Sequence, residues 1–381
     1  MIDIVRSIAS RTSSLIHLRS QRNGDQDEAP RVRYAVVGLG HIAQSAVLPA
    51  FAHASKNSEL TALVSDSRHK LRTLGEEHDV GLQFEYEEFD ELCASGAIDA
   101  VYIALPNNLH REYTERAARH GVHVLCEKPM AVTVEDCRAM MDAARTNRVK
   151  LMVAYRLHFE PANLEAALIA QQRKLGEVRV FNSIFTMQVK QGDIRLKKAL
   201  GGGTLYDIGI YCINAARMIF KAEPTEVFAM SAKNGETRFA EVDEMTAVTL
   251  RYPDDRLATF VTSFGAADTS RFQLIGTKGD LAVDPAYEIA ETLTHHEKID
   301  GRRRKRRYPK RDQFAPELEY FSDCILNDKE PEPSALEGLA DVQIIQAALE
   351  SERTRRPVRI TVKSDAPVQR SQSAYKRPVR R

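Results

Sequence analysis

The chain of 381 residues is long enough for two domains of ordinary size and for a substantial hydrophobic core. Its 43% hydrophobic and 28% charged residues exclude a disordered, collagen-like or fibrous protein. The 54 Lys and Arg nearly balance the 53 Asp and Glu, so the net charge of +1 predicts no general attraction to nucleic acid or to an anionic membrane.

Cysteine usage and hydropathy indicate where the protein works. The five cysteines are scattered and form no CxxC pair, which is typical of reduced thiols rather than of a disulfide framework or a zinc site. No apolar run approaches the roughly 20 residues that span a bilayer, and the apolar cluster within the first thirty residues is too short for a signal peptide. We therefore expect a cytoplasmic protein with no metal, no membrane partner and no nucleic-acid partner.

The first part of the chain alternates strand-like and helical segments. Residues 1–30, rich in Ser, Arg, Asp and Gln, are predicted to form a flexible N-terminal arm. Over residues 31–155, short apolar runs alternate with segments of helical spacing. The predicted strands are 31–37, 59–64, 100–104, 123–126 and 151–154, and the predicted helices are 42–54, 67–78, 110–120 and 133–148. This alternation predicts an α/β domain with a doubly wound parallel sheet.

The pattern changes after about residue 155, where long alternating stretches replace the short apolar runs. The predicted strands are 178–188, 227–231, 245–252, 257–264, 272–275 and 281–284, and helical spacing occurs at 208–220, 315–326 and 335–354, with a candidate last strand at 358–362. Residues 156–362 are therefore predicted to form an α+β domain with a large, mostly antiparallel open sheet. Residues 363–381 are predicted to form a basic flexible tail.

A glycine-rich turn joins the first strand to the first helix. Gly38-Leu-Gly40-His41-Ile42-Ala43 is the G-x-G-x-x-A form of the dinucleotide fingerprint, and it follows a strand and opens a helix, the context that gives the motif weight. The glycines permit a tight turn, and backbone N–H groups can approach a pyrophosphate at the helix N-terminus. The alternative is an ordinary strand-to-helix turn. We expect residues 31–155 to be an NAD(P)-binding Rossmann domain in which Gly38, Gly40, His41 and Ile42 contact the cofactor.

The end of the second strand bears on the choice between NADP and NAD. Ser65 falls at the strand end, with Arg68 and Lys70 close behind, which favours a ribose 2′-phosphate and hence NADP. Asp66 is one residue away and could accept a ribose hydroxyl, so NAD stays possible. The two cations could also be no more than the solvated start of a helix.

Two further loops follow later strands of the same sheet. Pro106, Asn107 and His110 come after one strand, and Glu127 and Lys128 come after the next. Open α/β sheets bind ligands at the carboxyl ends of their strands, so these residues are expected at the cofactor, with Lys128 where nicotinamide and substrate meet. Ordinary connecting loops are an equally simple interpretation.

A glycine run precedes an acid and a phenol. Gly201-Gly-Gly is followed by Asp207-Ile-Gly-Ile-Tyr211, and a helix beginning near Asp207 would place its carboxylate and the Tyr211 phenol on one face. An acid and a phenol beside the Lys128 ammonium form a plausible proton-transfer set, because a neighbouring cation stabilises a phenolate.

Together, Gly38-x-Gly40, Glu127-Lys128-Pro129 and Gly201-Gly-Gly with Asp207-x-Gly-x-Tyr211 resemble the glucose-fructose oxidoreductase and inositol dehydrogenase family over roughly residues 31–362. The resemblance implies a Rossmann domain, an α+β domain whose open sheet packs on a partner subunit, proton transfer by Lys128 and Tyr211, and substrate binding by Asp207. Most members have His where this chain has Tyr211. This tyrosine, with segments 99–103 and 154–158, is similar to the glucose-fructose oxidoreductase branch, which uses NADP.

We therefore expect an NADP-dependent oxidoreductase that moves hydride between nicotinamide and a sugar or polyol carbon, from aldose to lactone or by reduction of a ketose or other carbonyl. Lys128, Tyr211 and Asp207 would be catalytic, and Arg156, His158 and Asp207 would bind substrate. A homodimer or homotetramer would form through the open sheet. The sequence has no twin-arginine leader, unlike exported members of the branch. The rival hypothesis is a non-catalytic, nucleotide-sensing regulator on the same fold.

Two polar segments are assigned no role in the chemistry. The basic run at 302–307 is interpreted as a solvated hairpin rather than a nucleic-acid patch, because no interleaved aromatic residues or recognition fold accompany it. His295 and His296 lack a metal-ligand pattern and are expected at the surface.

Overall fold

The structure, a computed structural model, describes residues 29–362. The predicted flexible arm, but for its last two residues, and the predicted basic tail lie outside the described residues. Two sheets, one of six strands and one of nine, organise the part of the chain that is described. No helix within residues 29–362 is both long and apolar enough to cross a membrane.

The first sheet is entirely parallel, with strand order β3-β2-β1-β4-β5-β6. Its strands are β1 (Val32–Val37), β2 (Ser58–Val64), β3 (Leu82–Phe84), β4 (Ala100–Ile103), β5 (His123–Glu127) and β6 (Leu151–Ala154). The helices between them are α1 (Leu48–His53), which continues a π-helical turn at Ala43–Val47, α2 (Arg68–Glu77), α3 (Phe89–Ala94), α4 (His110–Arg119) and α5 (Val134–Asn147). The chain order reverses beside β1, so the loops after β1 and β4 flank the crevice where such sheets bind dinucleotides. The predicted doubly wound parallel sheet is confirmed.

The second sheet is mostly antiparallel and has the order β14-β13-β12-β11-β7-β10-β9-β8-β15, with β7 and β10 as its parallel pair. Its strands are β7 (Val178–Gln188), β8 (Glu226–Ala232), β9 (Met245–Tyr252), β10 (Arg256–Ser263), β11 (Gly265–Gly276), β12 (Gly279–Val283), β13 (Leu293–Ile299), β14 (Arg302–Tyr308) and β15 (Val358–Arg359). The helices of this half are α6 (Pro161–Gln171), α7 (Ile210–Phe220), α8 (Ala315–Leu326) and α9 (Ala335–Thr354). The expected large antiparallel sheet is therefore present.

One face of the nine-stranded sheet carries exposed apolar side chains. The register of β8, β9, β10, β7 and β11 places five of them on the same side of the sheet. They are Phe228, Met230, Leu257, Val261 and Ile275. Side chains of the opposite alternation, such as Val248 and Phe260, are buried.

Helix α8, late in the chain, returns to pack on the first sheet. Its Ser322 hydroxyl lies 2.8 Å from the Tyr34 phenol and 2.7 Å from the Ser58 hydroxyl, all three side chains being buried. Phe314, just before α8, and Leu318 within it join the apolar cluster on that face. The sequence half that forms the second sheet thus also completes the core of the first.

The structure departs from the sequence-based expectations in several places, among them the unpredicted elements β3, α3 and β13. Helix α6 was not predicted, although the Glu160 carboxylate caps its N-terminus and Pro161 occupies its first turn. The expected surface position of His295 is wrong, because this side chain is fully buried and bonds the Ala162 carbonyl at 2.9 Å. The last strand, β15, ends at residue 359 rather than 362. The basic run at 302–307 does form an exposed hairpin strand.

Candidate active site

The glycine-rich turn after β1 has the shape that a dinucleotide needs. Gly38 has φ +93°, and a Cβ there would lie 2.7 Å from the Ala104 carbonyl oxygen, so only glycine fits between the ends of β1 and β4. A Cβ on Gly40 would meet no atom within 4 Å, which leaves open space where the helical turn begins. His41, exposed, and Ile42, half-buried, border this space. The glycine-rich turn therefore forms a cradle with room for a pyrophosphate to approach the backbone N–H groups at the start of the helix.

The end of β2 presents both cations predicted for a 2′-phosphate. Ser65 is buried, and its hydroxyl accepts the Ser67 N–H at 3.2 Å, whereas Asp66 is exposed. The Lys70 ammonium donates to the Leu39 carbonyl at 3.0 Å, so it lies against the glycine-rich turn. Arg68 is largely exposed and forms an ion pair with Glu85.

The loop after β4 is held in place by its predicted cofactor residues. The Asn107 side-chain amide donates to the Gly201 carbonyl at 2.9 Å, and Pro106 beside it is half-buried. His110 corrects the expectation of a cofactor contact. It is fully buried, with its ring nitrogens 2.9 Å from the carbonyls of Leu105 and Pro129, so it ties together the loops that follow β4 and β5.

Lys128, Asp207 and Tyr211 meet at the end of β5. The Lys128 Nζ atom donates to the Asp207 backbone carbonyl at 2.8 Å and to its Oδ1 atom at 3.3 Å, and it lies 4.8 Å from the centre of the Tyr211 ring. Asp207 falls in a π-helical turn, Leu205–Gly209, that leads into α7. The predicted juxtaposition of these three side chains is present.

The charges of this cluster support one another. Burial alone would lower the pKa of Lys128, but Tyr211, Asp207 and Glu127 together raise it above its usual value. Burial would likewise raise the pKa of the Asp207 carboxyl, but Lys128 and the guanidinium of Arg195 outweigh burial and lower it. The site therefore holds an ammonium and a carboxylate at neutral pH.

The carboxylate of Glu127, the residue before this lysine, lies against the neighbouring strand β4. Its carboxylate accepts the Tyr102 hydroxyl at 2.8 Å and the Lys128 backbone N–H at 3.2 Å. Burial raises its pKa in spite of the neighbouring Lys128 cation. These contacts orient the segment from which Lys128 projects.

Arg156, predicted to bind substrate, is bonded to protein groups around Tyr211. Its Nε donates to the Tyr211 hydroxyl at 3.2 Å, Nη1 to the Gln313 side chain at 2.6 Å, and Nη2 to the Tyr287 carbonyl at 2.5 Å. The side chain is buried, and each of its nitrogens has a protein acceptor. Arg156 therefore holds the Tyr211 phenol, and its contact with a substrate hydroxyl stays a prediction.

His158, also predicted to bind substrate, is buried beside Asn214 and Tyr155. Its Nε2 lies 2.7 Å from the Asn214 Oδ1 atom, and its ring stacks on Tyr155 with centroids 5.7 Å apart. Asn214 and Tyr155 both donate to the buried Asp341 carboxylate. His158 thus belongs to an interior hydrogen-bond network, and its contact with a substrate stays a prediction.

Sequence reasoning missed Arg195, whose Nε donates to the Asp207 Oδ2 atom at 2.7 Å. The only local signal was the Asp193-x-Arg195 pair shortly before the glycine run, and such pairs are common on surfaces. Gln313 and Tyr287, which hold Arg156, were also missed, because both come from segments that are distant from Arg156 in the chain. Among residues 29–362, no group of three or more His, Cys, Asp or Glu could hold a metal ion.

Comparison with known proteins gives the same picture over most of the chain. Residues 32–155 match a model described as an oxidoreductase family with an NAD-binding Rossmann fold, and residues 164–282 match the GFO/IDH/MocA C-terminal domain. A protein named D-xylose 1-dehydrogenase [NADP(+)] from Haloarcula marismortui is 34% identical, over 86% of this chain and 93% of its own length.

Two solved structures extend the similarity to the fold. An aldose-aldose oxidoreductase from Caulobacter crescentus, complexed with glycerol, superposes with a TM-score of 0.83 at 36% identity, covering 87% of this chain and all of its own. A 3-ketoreductase from Actinomadura kijaniata, in complex with NADP and TDP-benzene, gives a TM-score of 0.77 at 27% identity, covering 84% of this chain and 98% of its own. The family indicated by the three motifs is confirmed: the chain belongs to the GFO/IDH/MocA family of oxidoreductases.

Proposed function

We propose that this protein is an NADP-dependent oxidoreductase that transfers hydride between the nicotinamide ring and a hydroxyl-bearing carbon of a sugar or polyol. The observation that carries the proposal is the cluster of Lys128, Asp207 and Tyr211 at the carboxyl edge of the parallel sheet. It combines a proton-transfer group, a cation and a carboxylate beside the cradle that fits a dinucleotide. The names of the Haloarcula and Caulobacter relatives support the same substrate class.

The chain divides the chemistry among few groups. NADP, when bound, supplies the hydride acceptor or donor at nicotinamide C4. In substrate oxidation, the oxygen of Tyr211 takes the hydroxyl proton, and in reduction it returns that proton. The Lys128 ammonium and the Arg156 guanidinium lie 4.8 and 4.9 Å from the centre of the tyrosine ring. Both cations therefore stabilise the negative charge that the oxygen carries before it takes the proton and after it returns it. The Asp207 carboxylate accepts a hydrogen bond from a hydroxyl group of the substrate, which holds the substrate in place.

Preference for NADP rests on the end of β2. Lys70 lies against the glycine-rich turn, and Arg68 follows Ser65 closely, so two cations border the place where a ribose would sit. A 2′-phosphate would form charge-assisted hydrogen bonds with such groups. The Actinomadura 3-ketoreductase was solved in complex with NADP, which is consistent with this preference.

The chain works as a homodimer or homotetramer in the cytoplasm, with no membrane or nucleic acid as a partner. Support for self-association comes from the exposed apolar side chains of the nine-stranded sheet, since monomers rarely expose a contiguous patch of this kind. Support for a reducing compartment comes from the cysteines, which are all buried and unpaired within residues 29–362.

The decisive experiment has two steps. Denaturing the purified protein and identifying any released nucleotide tests for a tightly bound cofactor. Turnover is then followed by NADPH absorbance with a panel of aldoses, polyols and ketoses, with Tyr211→Phe as the catalytically impaired control. Tight NADPH binding without turnover of any member would contradict the proposal and favour the nucleotide-sensing regulator.

A further inference from the structure

The backbone of Arg195 is held in the site by hydrogen bonds and by the close packing of the glycine run. The Gly203 N–H donates to the Arg195 carbonyl at 2.9 Å, and the Arg195 N–H donates to the Asp193 carboxylate at 2.9 Å. A Cβ on Gly202 would lie 2.4 Å from the Arg195 carbonyl oxygen, and one on Gly201 would lie 2.6 Å from Val132. The glycine run is therefore compressed between the Arg195 loop and the first domain's loops. This packing fixes the position of Arg195 relative to the cofactor edge.

The guanidinium of Arg195 is only partly satisfied by protein groups. Nε donates to Asp207 at 2.7 Å, and Nη1 lies 3.3 Å from Asp193. Within residues 29–362, Nη2 has no acceptor at hydrogen-bonding distance, and the side chain is 37% exposed. The two N–H groups of Nη2 are therefore left without a protein acceptor among the described residues, on a guanidinium bonded to the carboxylate of Asp207.

Asp207 has acceptor capacity left in the same place. Its Oδ1 atom accepts from Lys128 and its Oδ2 atom from Arg195. A carboxylate offers about four lone-pair sites, so roughly two remain for a ligand. A hydrogen-bond acceptor on Asp207 and a donor on Arg195 thus lie next to each other, because the two side chains are hydrogen-bonded.

We infer that the Asp207–Arg195 pair recognises two neighbouring hydroxyl groups of the substrate, one donating to Asp207 and the other accepting from Arg195 Nη2. This inference rests on the proposed function and adds that Arg195 and Asp207 together contact two adjacent hydroxyls of the sugar or polyol. An isolated alcohol satisfies only the acceptor. The two acids beside Arg195 offset its charge, so a neutral sugar or polyol fits the pair better than an anionic substrate.

The test is a double-mutant cycle in which one change is made in Arg195 and the other removes a hydroxyl from the substrate. The kcat/KM of wild type and of Arg195→Met is measured for a turned-over aldose and for its monodeoxy analogues, each lacking one hydroxyl. Wild type should prefer the parent sugar over at least one analogue by about 10- to 100-fold, because removing that hydroxyl leaves a donor unpaired. Arg195→Met should lose most of this preference, by lowering kcat/KM for the parent sugar far more than for that analogue.

Three further measurements make every outcome decisive. Lys197→Met is the matched control, because this lysine lies on the same loop but its side chain is paired with Glu241; it should keep the wild-type preference. Arg195→Lys retains the charge but replaces the planar fork by one nitrogen, which cannot bond Asp207 and also place a donor at the position of Nη2, so it should also lose the preference, and it decides the matter if the Met variant does not fold. The dissociation constant of NADPH should be unchanged in all three variants.

The contrary results are equally distinct. Equal losses on parent and analogues would mean that Arg195 only positions Asp207, and unchanged kinetics would remove it from the site. Either result overturns the inference while leaving the oxidoreductase intact. An absence of sugar turnover by wild type would instead contradict the proposed function on which the inference rests.

Discussion

The guanidinium of Arg156 donates through Nε to the hydroxyl of Tyr211 at 3.2 Å, while its Cζ atom lies 4.9 Å from the centre of the ring. Gln313 and Tyr287 accept from its other two nitrogens and prevent it from turning away. The Lys128 ammonium approaches the same ring to 4.8 Å. The phenol is thus held between two buried or partly buried cations, as expected of a group that carries negative charge during turnover.

The first prediction concerns the proton-transfer group. Tyr211→Phe keeps the ring packed against Phe185 and Tyr287 but removes the hydroxyl. The rate of the chemical step should fall by about 10²- to 10⁴-fold, the usual contribution of general acid–base catalysis. Nucleotide affinity should change little. Single-turnover measurements with a deuterated substrate establish that hydride transfer is being observed; near-normal rates under those conditions would make the phenol structural and bring Asp207 forward as the base.

The second prediction concerns the coupling of Lys128 to Tyr211. Lys128→Met should reduce turnover about as much as Tyr211→Phe, because it removes the ammonium that favours negative charge on the phenol oxygen and leaves Arg156 as the remaining cation at the ring. The losses should not add in the double variant, since both residues serve one proton transfer. Measured kcat values for the two single variants and the double variant test this. Fully multiplicative losses would show that the residues act independently.

The third prediction concerns the nucleotide. NADPH should bind more tightly than NADH, and Arg68→Ala combined with Lys70→Ala should erase most of the difference, since charge-assisted contacts are worth about 1.5–3 kcal/mol each. Lys70 should contribute more than Arg68, because Lys70 lies against the glycine-rich turn while Arg68 is engaged by Glu85. Fluorescence titration of each variant with both nucleotides measures this. Equal wild-type affinities would reassign the ribose to Asp66.

Much of the fold could be predicted because its signals are local. The alternation of short apolar strands with helices determines a parallel sheet, and the Gly38 turn stands out because the approach to Ala104 admits no side chain. The meeting of Lys128 with Tyr211 was predictable for another reason. Both residues belong to motifs of the family that the chain resembles, and a parallel sheet places Lys128 at its carboxyl edge, where the turn before α7 brings Tyr211 to it.

The sequence is least informative where tertiary contacts decide the position of a side chain. The burial of His158 depends on Asn214 and, through it, on Asp341 of a late helix, and no local pattern encodes that network. Arg195 acquires its role only when the glycine run closes against its loop. Helix α6 was detectable, since Glu160 before Pro161 is a helix start, but its apolar residues lie all round and give no helical periodicity.

The fourth prediction concerns self-association. Met230, 65% exposed, and Val261 lie on the apolar face of the nine-stranded sheet. Met230→Asp with Val261→Asp should shift the protein toward the monomer in sedimentation experiments at micromolar concentration, because charge in a buried apolar interface is costly. Leu326→Asp, a comparably exposed leucine at the end of α8, is the control and should leave the assembly intact. A wild-type monomer would contradict the proposed oligomer.

His295 and His296 form a natural pair for a test of pH-dependent stability. His295 is fully buried between the Ala162 carbonyl, 2.9 Å away, and the Tyr308 hydroxyl, 3.3 Å away, whereas His296 beside it is exposed. Burial, reinforced by nearby cations such as Arg306, lowers the pKa of His295 from 6.5 to about 4. The unfolded chain therefore binds a proton at this position more readily than the folded one.

The last prediction follows from that difference. The contribution of His295 to stability is complete above pH 6.5 and is lost progressively as the pH falls toward about 4, because protonation there favours the unfolded chain. The full loss is on the order of 3 kcal/mol. Urea unfolding between pH 7 and pH 5 should show a flatter pH dependence for His295→Gln than for wild type, even if the variant is less stable throughout. His296→Gln should keep the wild-type slope, and an equal slope in all three proteins would contradict the assignment.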